Sequence, residues 1–417
     1  MKDVDDVREM SIEVPVEPPA EYESLFIPVP KEFVEDAYRK DDFIVFIGPQ
    51  HPGSGHMRII VRLKGDYIVE AIPDPGYVHR SMEKLAENRL YVQNIPLLER
   101  PSIMDFGNYN LGYVRVIEEA LDIEVPERAQ YLRVLLAELG RIGTHLYDAG
   151  ILAVFMGHTT GFMWPFALRE FIVEALIHIT GARITGSFII PGGVRRDVDE
   201  KVLRMVKRII FTIENRLEKF DRVFIKNPTV VARLKDVGVL TREEAIKYGV
   251  VGPFLRASGV EYDVRRVESY EVYDELDFEI PVGDDGDGYT RFLVRVEEIA
   301  QSMSIIRQIV DRIPEGDVIS SDIETISGKD IRGSFYDALA KITLPAGEYT
   351  TLTEAARGTL LFSVLSDGAS NVPYRLRFVT PGWMYLKGFM ESLKGERLAD
   401  LQAIYGSFGY FPPEADR

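Results

Sequence analysis

The segment ERAQYLRVLLAELGRIGTHLYDAG (127–150) follows Pro126 and places Leu132, Leu135, Leu136, Leu139 and Ile142 at helical spacing. FALREFIVEALIHITG (166–181), DVDEKVLRMVKRIIFTIENRLEKFDRVF (197–224) and RFLVRVEEIAQSMSIIRQIVDRI (291–313) also read as helices. Several are apolar on more than one side, as helices surrounded by other helices are. Such segments must be buried together, which predicts a large bundle. A chain of 417 residues can build that core without a disulfide or metal staple. Gly181 is the expected left-handed stop after the second helix.

Three β-branched runs precede the bundle: DFIVFI (42–47), MRIIVRL (57–63) and YIVEAI (67–72), the last two joined by a hairpin at Lys64-Gly65-Asp66. Residues 1–40 are rich in Pro, Glu and Val and predict an extended, surface-wrapping arm. The expected organisation is therefore an arm (1–40), a β unit (41–75) and a helical core (76–417). Within the core SMEKLAENRLYVQN (81–94) has helical composition, whereas YTTLTEAARGTLLFSVLSDG (349–368) and YRLRFVTPG (374–382) look like strand segments. The fold class is α+β: a large helical bundle with a small N-terminal β unit and a C-terminal β segment. No period of 20–50 residues marks a repeat architecture.

One stretch, AGILAVFMGHTTGFMWPF (149–166), has no formal charge unless His158 is protonated, and is nearly long enough to cross a bilayer. Its glycines, threonines and Pro165 predict instead a buried helix end followed by a core loop. The N-terminus, MKDVDDVREM, lacks the apolar run of a secretory signal. The chain carries 49 Lys and Arg against 66 Asp and Glu, a net charge of −17, which argues against nucleic acid as a partner. It has no cysteine, so it can hold neither a disulfide nor a thiolate-ligated zinc, nickel or iron–sulfur centre. Walker A, GxGxxG and HExxH motifs are absent, and the acidic run 284–288 lacks the ligand alternation of a calcium loop and reads as a solvated turn. Composition and spacing alone assign no reaction.

GPQHP (48–52), GYVHRSMEKLAENRLYVQNIPLLER (76–100), VPERAQYLRVLLAELGRIGTHL (125–146), LRASGVEYDVR (255–265), EAARGTLLFSVLSDG (354–368) and the terminal Glu414-Ala415-Asp416-Arg417 add a more specific signal. In this order they resemble the large catalytic subunit shared by respiratory complex I and membrane-bound nickel–iron hydrogenases. The resemblance implies a hydrogenase large-subunit-like fold and the catalytic pocket of a multisubunit, ion-pumping membrane complex. The departures are informative. The two CxxC pairs that hold nickel and iron in hydrogenases fall on Ser102 and Asp105, and on Phe411 and Glu414, none of which can replace bridging thiolates. The tyrosine with which complex I members hold a quinone falls on Ile103, which donates nothing. His51 matches the first histidine of that branch's loop, and His56 is displaced from the second.

A chain without either set resembles most the large subunit of archaeal membrane-bound sulfane sulfur reductase. That branch implies polysulfide reduction beside the proximal iron–sulfur cluster of an adjacent small subunit, with ferredoxin as donor. It implies no cofactor in this chain. The other expected partners are further peripheral-arm and membrane-arm subunits, with the protein lying peripherally on the cytoplasmic face without a span of its own. A quinone or methanophenazine reductase of complex I type, which also brings NAD binding to the assembly, and a scaffold with a vestigial pocket are the alternatives. Within the implied pocket, His51 is a candidate proton donor. Asp105 and Glu414 form a candidate carboxylate pair, either proton-sharing or salt-bridged to Arg100, Arg357 or Arg417. Arg357 is a candidate anchor for an anionic substrate, and Arg100 for the cluster subunit. His56, Ser102, Ile103 and Phe411 would line the pocket, with Ser102 and Phe411 filling the volume left by the lost metal. His145 and His178 are expected to be satisfied core histidines, and His79 lies near a helix start without an assigned role.

Overall fold

A computed structural model describes residues 29–51, 56–327, 335–409 and 412–416. The arm's residues 1–28, the centre of the GPQHPGSGH loop (52–55), Phe411 and Arg417 lie outside the described residues. At the centre is the helix Glu127–Phe155, which starts directly after Pro126 and places Glu127 against the positive end of its dipole. Leu132, Leu135, Leu136, Leu139 and Ile142 are all buried in it, as their spacing predicts. The helices Phe106–Leu121, Thr159–Thr180, Gly288–Arg312 and Leu401–Phe408 pack around it, and Glu200–Phe220 closes over the second and third of these.

The uncharged stretch 149–166 is more regular than its composition suggests. Gly157 turns the chain at φ +73°, and the His158 ring accepts a hydrogen bond from the Gly161 N–H at 2.8 Å, capping a new helix at Thr159. Only 156–158 are non-helical, and Pro165 sits inside the helix Thr159–Thr180 where a core loop was expected. The cap explains the difference, because it satisfies first-turn donors that a loop would leave exposed. The helix ends at Gly181, φ +86°, as expected. No described helix is long and apolar enough to cross a membrane.

The N-terminal unit is an antiparallel sheet of Phe43–Ile47, Arg58–Lys64 and Tyr67–Asp74 in sequence order, with the expected hairpin at Gly65 (φ +63°). Met57, Ile59, Val61 and Leu63 share a buried cluster with Tyr385, Phe389 and Phe408. Three expectations are corrected here. Residues Lys31–Arg39 of the arm form a helix, which buries Phe33 and Ala37 and presents Asp36 to Arg62 at 2.8 Å. The segment 81–94 is divided into Met82–Ala86 and the start of Tyr91–Leu98, the second capped by Gln93 Oε1 accepting from the Leu90 N–H at 3.2 Å. In the acidic run, Asp287 is not solvated. It is buried, and caps the helix Gly288–Arg312 by accepting from the Thr290 N–H at 2.7 Å.

The C-terminal β segment is a sheet of Gly347–Ala355, Gly358–Ser366 and Arg375–Val379. Ala355 pairs with Gly358, so Ala356 and Arg357 form the whole turn of the first hairpin. Hairpin tips usually face water, but this one is driven into the bundle, and both residues are buried. Gly252, at φ +65°, lets it in: a Cβ there would lie 2.2 Å from the Arg357 carbonyl oxygen and 2.5 Å from Gly358 Cα. Both obstacles are backbone, so neither can swing aside. Gly252→Ala is therefore expected to destabilise the protein by about 2 kcal/mol or more, combining positive-φ strain with displacement of the tip. A denaturant titration of the purified variant and parent checks this, and equal midpoints would refute it.

Candidate functional site

The buried tip brings Arg357 against carboxylates and a hydroxyl from three parts of the chain. Its Nη2 and Nε donate to Asp148 at 2.5 and 3.1 Å, and its Nη1 donates to Glu414 Oε1 at 2.9 Å and to Ser102 Oγ at 3.2 Å. The expected substrate-binding guanidinium is thus already held by two buried carboxylates. Burial works against its charge, but Asp148 and Glu414 outweigh that and keep Arg357 firmly protonated. Ser102 is a polar member of this cluster, not the simple volume filler expected. For Glu414 the salt-bridge alternative with Arg357 is the one formed, and burial still raises its pKa above the ordinary value.

Asp105 behaves differently. Its Oδ2 accepts from the Ala356 N–H at 2.7 Å, and its Oδ1 accepts from Asn108 Nδ2 at 2.6 Å. No ion pair to Asp105 forms among the described residues. Burial therefore dominates and lifts its carboxyl from 3.8 to about 7, against the pull of Arg141 and these hydrogen bonds. The two carboxylates hold one hairpin tip in different ways: Asp105 binds its backbone and Glu414 its side chain. Each carboxylate of the cluster is accommodated by a glycine. A Cβ at Gly140 would lie 3.3 Å from Asp105 Oδ1, one at Gly382 would lie 2.6 Å from Glu414 Cβ, and one at Gly409 would lie 2.5 Å from Asp148 Oδ2.

Beside the cluster is a cavity of about 130 Å³ lined by Ser102, Ile103, Met104, Tyr147, Arg169 and Arg357. Ile103 is 37% exposed and faces this space. Tyr147 packs on Phe166 with ring centroids 5.6 Å apart, and burial raises its hydroxyl's pKa so that it stays protonated. Arg169 points Nε and Nη2 at the Met104 thioether, at 3.1 and 2.7 Å. Asp148, Tyr147 and Arg169 were not singled out from sequence. Asp148 had a usable signal, as the last charge before an uncharged stretch. Glu99 was also missed. It is buried, accepts from Asn110 Nδ2 at 2.9 Å and from the Ser187 N–H at 2.8 Å, and burial raises it to about 7.

The remaining candidates lie elsewhere. His51 and His56 are exposed and are not among the residues lining this cavity, and His56 adopts φ +75°. Arg100 is exposed and donates to the Pro96 carbonyl at 3.2 Å. His145 is a buried core histidine, with Nε2 2.8 Å from Glu298, but His178 is exposed on its helix. The His79 ring contacts the Asp416 carbonyl. Among the described residues no group of three or more His, Asp or Glu is placed to hold a metal ion. With no cysteine in the chain, the thiolate set of nickel–iron chemistry has no counterpart here.

The family model for the respiratory-chain NADH dehydrogenase 49 kDa subunit matches residues 156–417. An NADH-quinone oxidoreductase subunit of Desulforamulus reducens is 37% identical over 379 residues, covering 91% of this chain and 99% of that protein. Its counterpart in Syntrophobacter fumaroxidans is 37% identical over 390 residues, covering 93% and 100%. Among solved structures, a chain of the membrane-bound sulfane sulfur reductase, an archaeal respiratory membrane complex, superposes with a TM-score of 0.84 at 37% identity. That match covers 91% of this chain and 99% of the other.

Two outcomes follow from the cluster. Arg357→Ala strands Glu414 without its cation, leaves Asp148 only the more distant Arg295 at 3.9 Å, and is expected to cost about 3–5 kcal/mol of stability, measurable by denaturant unfolding. Because the folded pKa of Asp105 is raised, its protonated form contributes stability that is complete below about pH 4 and lost as pH rises through about 7. Asp105→Asn cannot ionise, so its melting temperature relative to the parent should climb as pH is raised across that window. A difference that stays constant with pH would show that Asp105 does not titrate there.

Proposed function

The chain belongs to the family of the 49 kDa subunit of respiratory-chain NADH dehydrogenase, and from its likeness to a chain of the sulfane sulfur reductase we propose that it forms the substrate pocket of a complex reducing sulfane sulfur. It is an oxidoreductase subunit of a multisubunit respiratory complex, and acts with partner subunits. In the proposed assignment electrons come from ferredoxin through an iron–sulfur centre of an adjacent subunit, with the assembly bound at the cytoplasmic face of the membrane.

The observation that carries this assignment is the cavity beside Arg357. It presents an aliphatic Ile103 where the quinone branch has a phenol, and its volume of about 130 Å³ is well below the ~300–1,000 Å³ that encloses larger organic ligands. A short polysulfide is small, apolar along its chain and anionic at its ends, which suits walls of Ile103 and Met104 beside arginines. The residues behind the cavity suit the proton requirement. Asp105, at about 7, is close to half-protonated at neutral pH, and Glu414 is also shifted upward. Asp105 can therefore supply a proton to a newly formed hydrosulfide without a large penalty in either state.

Quinone reduction is the second assignment, favoured by the NADH-quinone oxidoreductase relatives and by the Tyr147 phenol in the same cavity. Turnover separates the two. The purified complex, supplied with reduced ferredoxin, is offered polysulfide and a short-chain quinone in parallel. Polysulfide consumption without quinone reduction is expected, and quinone reduction alone would overturn the sulfur assignment.

A further inference from the structure

Two guanidinium groups border the cavity, and their charges are compensated very differently. Arg357 faces Asp148 and Glu414 at 2.5 and 2.9 Å, all three deeply buried. Among the described residues Arg169 has one carboxylate nearby, Glu170, at 3.4 Å, and that carboxylate is half exposed. Glu170 is moreover shared with Arg183, which holds it more closely at 2.7 Å. The other contacts of the Arg169 nitrogens run to the thioether of Met104, a weak acceptor without charge. The Arg169 side chain is only 18% exposed, so water compensates little of its charge. Burial accordingly lowers its pKa, though an arginine remains protonated. Its guanidinium carbon also lies 5.7 Å from the Phe166 ring centroid, a cation–π contact, so Arg169 faces this cavity as a cation only partly compensated.

We propose that Arg169 and Tyr147 form the recognition wall for the anionic end of the substrate: Arg169 pairs with a terminal polysulfide anion and Tyr147 donates a hydrogen bond to it. The proposal rests on the sulfur assignment above and adds how the acceptor is selected. Charge-assisted contact from a poorly solvated guanidinium favours an anion over a neutral disulfane. The thioether and Ile103 meet the apolar middle of the chain. In the reaction so positioned, the terminal S–S bond of a tetrasulfide dianion breaks on receipt of two electrons, passed singly from the partner's iron–sulfur centre. One proton, supplied by Asp105, forms the new S–H bond. The products are a trisulfide dianion and hydrosulfide, so atoms, charge and electrons balance. Arg169 and Tyr147 do not react; they hold the departing sulfur end.

The test uses the intact membrane complex with reduced ferredoxin and two acceptors, sodium tetrasulfide and uncharged dimethyl trisulfide. Arg169→Gln is expected to raise KM for tetrasulfide by about tenfold or more while leaving KM for dimethyl trisulfide unchanged. Arg169→Lys, which keeps the charge, should recover part of the loss. Tyr147→Phe should raise the tetrasulfide KM by a smaller factor, about two- to tenfold. If the parent reduces tetrasulfide and Arg169→Gln keeps its KM, the recognition wall is refuted while the sulfur assignment stands. Equal losses on both acceptors, not restored by lysine, would assign Arg169 a structural role and also refute the wall. A parent complex that does not reduce tetrasulfide overturns the sulfur assignment and the wall with it.

Discussion

Five ionisable side chains, Arg133, Glu138, Arg141, His145 and Asp148, lie along one buried stretch of the central helix, and all are nearly inaccessible to water. Removing such charges from water costs several kcal/mol each unless a partner meets them with good geometry. Every one is met. Arg133 takes Glu118 and Glu271, Glu138 takes Arg265 with hydroxyls of Tyr273 and Ser302, and His145 takes Glu298. Asp148 takes Arg357, and Arg141 donates to the carbonyls of Glu354 and Ala355. These partners come from the neighbouring helices and the C-terminal hairpin. The bundle can therefore close in a single register, since sliding one element by a turn would leave several buried charges unpaired. The hairpin tip is drawn inward by the same requirement.

That dependence explains which features were readable from sequence. Leu132, Leu135 and Leu136 announce a buried helix because hydrophobic burial depends on spacing within a segment. The hairpin at Lys64-Gly65-Asp66 is similarly local, needing a glycine at φ +63° between two strand patterns. Local chemistry also misled where it was incomplete. Pro165 and three glycines suggested a loop, yet a cap from His158 and close packing of Gly161 on Phe224 permit a helix there. Lys31–Arg39 was hidden by the proline-rich context on its N-terminal side, although its apolar residues Phe33 and Ala37 are four apart.

Site residues were legible only through the family pattern, and only as positions. That pattern brings Asp105, Glu414 and Arg357 to one pocket, and the hairpin tip joins them. It could not say which arginine is committed to structure, because that depends on Asp148, 209 residues away from Arg357 in the chain. Nor could it reveal that two nitrogens of Arg169 meet a thioether and not a carboxylate.

The same partition of charge gives the pocket a direction. In the interior, Arg357 is balanced by Asp148 and Glu414, so the inner wall offers an approaching anion little net attraction. At the cavity, Arg169 is under-compensated and attracts one. Behind the tip, Asp105 avoids the full cost of a buried charge by holding a proton near neutral pH, steadied by the Ala356 N–H and Asn108. With Asp105 and Glu414 both buried at the tip, their charge must be neutralised by arginine or by protonation. Arg357 neutralises one carboxylate and a proton neutralises the other. The ion pair at Glu414 and the raised pKa of Asp105 are, on this physical ground, two answers to the same burial.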